Sequence, residues 1–306
     1  MTNTTRTSPN EVSSSGRRLL ARHIGVGAVS AVAVTALAAG GVTMASAPAQ
    51  AQSITDPDIF NFALNLEYLE AEYYLRGITG QGLAATEVTG TGTPGGVTGG
   101  RAVSFRSDYL RQYLTKIAID EQAHVRFIRA VLGSAAVARP TIDFTTAFTT
   151  LARAAGLINA SQTFDPFADE VSFLLGAFVF EDVGVTAYGG AANLITNRDL
   201  LAYAASVLAV EAYHAGAVRT LIANIGGGVA ANRIASLRAT LSGGQPGTGG
   251  EVAIITPTSN YNFAPTDSQA QTFRRSPREV LNIVYGASGA ANGLFFPAGV
   301  NGTIRA

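Results

Sequence analysis

Three features of the sequence predict an all-α protein built on a four-helix bundle. Four long segments carry apolar residues at helical spacing. They fall into two pairs separated by a long connection, as a crossover bundle requires. The second and fourth segments also share a Glu-x-x-His spacing, in DEQAH at 120–124 and EAYH at 211–214. A C-terminal extension with one short helix follows the bundle.

The amino terminus stands apart from the fold. Arg17 and Arg18 precede an uncharged Ala/Val/Gly-rich run from Ile24, and Ala49-Gln50-Ala51 has the small-x-small form of a cleavage site. Residues 1–51 therefore read as an export signal of twin-arginine type, a route that carries folded proteins and suits one loaded with metal before export. The alternative is an uncleaved membrane anchor, since the run is long enough to span a bilayer. No further segment is expected to cross a membrane, and the destination is periplasmic or extracellular.

The first bundle helix is expected over 56–76, DPDIFNFALNLEYLEAEYYLR, with acidic residues and a proline at its start. A Gly/Thr-rich loop reaches residue 100, and the second helix runs from Phe105 to a terminating Gly133. A connector with a short helix at 143–157 leads to the third helix at 165–195, where Asp165 reads as N-cap and Pro166 as the first helical residue. The fourth follows a tight turn at 197–226, which closes the bundle as residues 52–226. In the extension, 227–306, a helix at 231–243 and a short one at 276–286 are expected, the latter with a capping box from Ser276 and Glu279.

Composition narrows the chemistry. The 306-residue chain has no cysteine, which excludes disulfides, thiolate catalysis and Cys-ligated metals. Any metal must bind nitrogen and oxygen. With 21 basic and 21 acidic residues and no Lys/Arg cluster in the mature part, the footprint of a nucleic-acid binder is missing. Of three histidines one is His23, in the leader; the other two each follow a glutamate by three residues.

Residues three apart share a helix face, so Glu121 with His124, and Glu211 with His214, each present a carboxylate and an imidazole to one point. Glu67 and Tyr74 on the first helix, and Glu181 and Tyr188 on the third, are seven apart and also share faces. The set repeats internally: each helix pair supplies one Glu, one Glu-x-x-His and one Tyr. Apolar flanks such as KIAIDEQAHVRFI place these groups inside. Four converging carboxylates there would repel one another, and two divalent metal ions would remove that cost.

This ligand pattern resembles the ferritin-like di-iron or di-manganese carboxylate proteins. More narrowly, NFALNLEYLEAEYYLRGITGQG and FRRSPREVLNIVYGASGAANGLFFPAGVNGTI resemble ferritin-like domain proteins related to plant desiccation-related proteins, from about Ile54 onward. The resemblance implies metal ligands at Glu67, Glu121, His124, Glu181, Glu211 and His214, with the candidate catalytic tyrosines Tyr74 and Tyr188 behind them. It implies two divalent metal ions, iron ahead of manganese, with zinc a competitor in vitro. The substrate would be dioxygen or hydrogen peroxide, giving Fe(II) oxidation or peroxide removal. The alternative is a non-catalytic desiccation-stress protein whose bundle is metal-stabilised or empty. An oxygenase ranks lower because an exported protein is remote from cytoplasmic reductases. A storage cage is disfavoured by the long loop and tail, although a homo-oligomer remains open.

Further expectations concern six neighbours of this set. Glu70 could replace or assist Glu67, and Glu72 points to solvent. Asp120 and Asp182 could accept the second ring N–H of a histidine on a neighbouring helix. Arg129 and Arg219 are expected in structural salt bridges.

Overall fold

The computed structural model describes residues 53–244, 251–255 and 261–306, so residues 1–51, where the sequence predicts an export signal, and His23 lie outside the described residues. Four long helices form the bundle: α1 (Asp56–Thr79), α2 (Asp108–Leu132), α4 (Glu170–Ala191) and α5 (Arg198–Asn224). α1 pairs with α2 and α4 with α5, and the pairs meet through α1 on α4 and α2 on α5. The crossover between α2 and α4 carries α3 (Thr146–Ala154). Beyond the bundle come α6 (Gly228–Leu241) and α7 (Pro277–Tyr285), both packed on α4. The Gly/Thr loop is clipped to the crossover by two-residue strands, β1 (Val97–Thr98) and β2 (Ile142–Asp143), which pair in parallel.

The helix starts follow local chemistry. The Ser107 hydroxyl accepts a hydrogen bond from the Leu110 amide at 3.2 Å at the start of α2, and Asn197 accepts from Asp199 and Leu200 at the start of α5. The capping box of α7 forms as expected: the Ser276 amide donates to Glu279 at 2.7 Å.

The start of α4 differs from the sequence expectation. Asp165 does not cap it; that carboxylate accepts from the Phe167 amide at 2.9 Å in a local turn and pairs with Arg101 at 2.5 Å. The turn drives Phe167 into the aromatic cluster around Tyr73, and Asp169, in extended conformation, caps the helix by accepting from the Ser172 amide at 2.8 Å.

Nearly every α4 residue from Phe173 to Tyr188 is buried, because α1 and α5 cover one side and α6 and α7 the other. A helix enclosed on all sides is apolar all round. This corrects the expectation that nothing beyond the leader is long and apolar enough to cross a membrane: Glu170–Leu194 and Arg198–Asn224 both qualify by length and composition, and 89% of the first one's apolar window is buried inside the protein.

Candidate metal centre

The six expected ligand residues meet at the middle of the bundle. Glu67 comes from α1, Glu121 and His124 from α2, Glu181 from α4, and Glu211 and His214 from α5. None is more than 7% exposed, so water cannot solvate their charges. They divide into two groups, Glu67, Glu121, His124 and Glu211 on one side and Glu121, Glu181 and His214 on the other, the donor atoms of each lying within 4.8 Å of one another.

Nδ1 of His124 is 3.2 Å from Glu67, 3.4 Å from Glu211 and 3.6 Å from Glu121. Nδ1 of His214 is 2.9 Å from Glu121 and 3.7 Å from Glu181. Glu121 faces His214 with Oε1 and His124 with Oε2, so it is shared between the groups. Glu211 turns toward His124 on α2, away from the histidine of its own motif. Gly184 makes room for it: a Cβ there would lie 2.2 Å from Glu211 Oε2.

These contacts lack hydrogen-bond geometry. Both oxygens of Glu121 and of Glu211, Oε2 of Glu67 and Glu181, and Nδ1 of both histidines are buried without a hydrogen-bond partner. Buried polar atoms are nearly always satisfied. Eight orphans aimed at one interior are a cluster of oxygen and nitrogen donors that fits divalent metal ions. The remaining oxygens of the outer carboxylates are satisfied: the Tyr188 hydroxyl donates to Glu67 Oε1 and the Tyr74 hydroxyl to Glu181 Oε1. Each tyrosine thus serves the carboxylate of the other helix, not the glutamate seven residues earlier on its own.

The electrostatics match this crowding. Burial, with His124 opposing it, pushes Glu67 up to about 8. Burial and mutual repulsion likewise raise Glu70, Glu181 and Glu211. Burial would raise Glu121 as well, but the two imidazoles outweigh it and hold that carboxyl well below its usual range. Burial would lower His214, yet the carboxylates around it push it up to about 10, and His124 is raised further still. Tyr74 and Tyr188 are raised well above their ordinary value by burial and by the carboxylates they bond, which keeps both hydroxyls as donors. These shifts favour protonated carboxyls and imidazoles in the metal-free site, and metal binding would displace those protons.

The neighbouring residues divide. Asp120 accepts from His214 Nε2 at 3.1 Å, as its position suggests. Asp182 instead accepts from Arg219 at 2.8 Å and from Arg238 at 2.7 Å, in a buried network continued by Glu251 and Arg275. Arg219 is therefore in a salt bridge, whereas Arg129 donates to the Tyr68 hydroxyl and to Thr89. Glu70 is buried near Glu211 and Gly184 but belongs to neither ligand group. Glu72 is not solvated: it is fully buried and paired with Arg76 at 2.8 Å and with Arg139, which arrives from the crossover. Gly184 was missed as a site residue. Its signal is the internal repeat, in which superposing Glu67 on Glu181 sets Gly184 opposite Glu70.

The profile of the ferritin-like domain family matches residues 55–224, which span all four bundle helices. The chain belongs to the ferritin-like domain family. The match ends with the last residue of α5, and α6 and α7 lie beyond it in the chain. The chain is 28% identical over 271 residues to the ferritin-like catalase Nec2 of Nesocodon mauritianus, covering 81% of this chain and 84% of that one. It is 30% identical over 172 residues to the desiccation-related protein PCC13-62 of Craterostigma plantagineum, covering 55% of this chain and 53% of that one. No solved structure matches the chain.

Proposed function

We propose that this is an exported ferritin-like protein that holds two divalent metal ions in its bundle and removes hydrogen peroxide in stress protection. Oxidation of Fe(II) by dioxygen is the second reaction open to the same site. The convergence of eight buried, unpartnered oxygen and nitrogen atoms on one interior carries the reading. Glu67 and His124 would hold one ion and Glu181 and His214 the other, with Glu121 between them and Glu211 beside the first. Four carboxylates balance the charge of two divalent ions, so the loaded centre is cheaper to bury than the bare one. Iron ranks ahead of manganese for this donor set.

When bound, the metal pair would supply the electron exchange that peroxide removal needs. Peroxide removal converts two H2O2 into two H2O and one O2: one molecule gives up two electrons and two protons, and the other takes them up as its O–O bond breaks. Tyr188 and Tyr74 hold Glu67 and Glu181 with one oxygen each turned inward. Among the described residues, the packed bundle leaves the centre open to solvent mainly at the edge of His124. The likeness to a catalase over most of both chains favours peroxide.

The likeness to a desiccation-related protein favours a second reading, in which the metals only hold the bundle together. Export rests on Arg17-Arg18 and Ala49-Gln50-Ala51, outside the described residues. Metal analysis of natively exported protein, followed by oxygen evolution from added peroxide, tests the proposal. About two ions per chain with oxygen release supports it; two ions without turnover leaves the structural reading; a metal-free protein that cannot be loaded removes the centre.

A further inference from the structure

The two halves of the centre repeat in sequence but differ on the outer side of their histidines. Superposing Glu121 on Glu211 aligns His124 with His214, Asp120 with Val210 and Lys116 with Ser206. On one side, the outer nitrogen of His214 meets Asp120 at 3.1 Å, and Lys116 in turn pairs with Asp120. On the other, the position that would serve His124 is Val210. Nε2 of His124 has no protein partner among the described residues and is not sealed from solvent. It borders a surface pocket of about 260 Å³ walled by Phe127, Tyr203, Ser206, Val207 and Val210.

On the two-metal reading above, we infer that Asp120 is a positioning residue that makes the two metal sites inequivalent, with the His214 half holding its ion tightly and the His124 half exchanging its ion through the pocket. Two effects act in this direction and oppose the fourth donor, Glu211, that the His124 half alone has. A carboxylate that accepts the Nε2 proton fixes the tautomer with Nδ1 free for the metal, locks the ring plane and makes the ring a better donor. His124 has no such acceptor, so nothing on its outer nitrogen fixes the tautomer or the ring plane. The pocket also brings water to the edge of His124, and water must replace a ligand before an ion can leave. The His124 half is thereby also the side on which a small oxidant reaches the centre.

The test is Mn(II) release from the loaded full-length mature protein into excess EDTA, followed as protein-bound Mn after rapid desalting. Wild type is expected to lose its two ions in two phases. Asp120→Asn should speed the slow phase by about 10- to 100-fold, the usual effect of removing a partner behind a ligand, and Asp120→Glu should restore much of it. Val210→Asp should slow the fast phase, since it supplies His124 with the missing acceptor. Asp120 is partly exposed and Lys116 largely so; circular dichroism checks that each variant keeps its fold, and Val210→Asp decides the matter if Asp120→Asn does not. Release of both ions from wild type in one phase, or two phases unmoved by either substitution, overturns the inference while leaving the metal centre standing. Failure of wild type to take up Mn(II), iron or cobalt at all removes the centre and the inference with it.

Discussion

Gly184→Ala separates the stability of the bundle from the geometry of its centre. An added Cβ would lie 2.2 Å from Glu211 Oε2, where ordinary contact begins near 3.4 Å, so 3.4 − 2.2 requires the carboxylate to yield about 1.2 Å. Glu211 is fully buried and Glu70 Oε1 lies 3.4 Å from the same point, which leaves the carboxylate little room to retreat. For a centre whose function depends on ligand position, a displacement near 1 Å costs on the order of 100-fold in rate. The metal affinity of the His124 half should fall about 10- to 100-fold. The backbone effect has the opposite sign: alanine in a helix interior is favoured over glycine by about 1 kcal/mol, against an overpacking cost of about 1–3 kcal/mol. The metal-free variant should thus lose no more than about 2 kcal/mol and keep its helical content. Competitive titration with a chromophoric chelator measures the affinity, and urea unfolding of the metal-free form measures the stability. Wild-type affinity for both ions in Gly184→Ala would refute the placement of Glu211 at the centre.

His124→Ala should keep its helical circular dichroism but lose most of the metal bound on its side, and with it peroxide turnover; full metal retention would count against the site. Stability of the metal-free protein should fall as pH rises. Glu67, raised to about 8, and His214, raised to about 10, both favour the protonated folded state. That stabilisation is complete below their unfolded values, near 4.5 and 6.5, and is lost as pH passes through the folded ones. Metal affinity should rise over the same range because binding displaces those protons, so thermal melts from pH 5 to 9 should diverge between the metal-free and loaded forms. Asp182→Ala should cost about 3–5 kcal/mol by stranding Arg219 as an uncompensated buried charge, measurable by chemical denaturation of the metal-free protein. Replacing Arg17 and Arg18 with lysines should leave precursor in the cytoplasm, and unchanged secretion of that variant would reject the twin-arginine route.

The four bundle helices and the six clustered donors were legible because i, i+3 spacing fixes a helix face regardless of what the face meets. The partners across the bundle were not. Tyr74 shares a face with Glu67, but which glutamate its hydroxyl reaches depends on how α1 lies on α4, and the answer is Glu181. Glu72 read as solvated because Arg139, 67 residues further along the chain, completes its ion pair. The start of α4 was misplaced because Asp165 and Pro166 mimic a helix start while forming a turn that buries Phe167. The repeat itself held more than its matches disclosed: its mismatches, Glu70 against Gly184 and Asp120 against Val210, fall at the positions where the two halves of the centre diverge.

The network around Asp182 bears on how such a chain can change over time. Asp182 lies next to Glu181 and bonds Arg219 of α5 and Arg238 of α6; Glu251 then joins Arg238 to Arg275 of the tail. All five side chains are buried. Losing either acid leaves an arginine without its carboxylate, Arg219 in the case of Asp182 and Arg275 in the case of Glu251, whereas exchanging the group for apolar residues of similar volume need cost little. Substitution of Asp182 or Glu251 alone should therefore be the costly change within the group. The C-terminal extension is thus tied through Arg238 and Arg275 to the helix that presents Glu181.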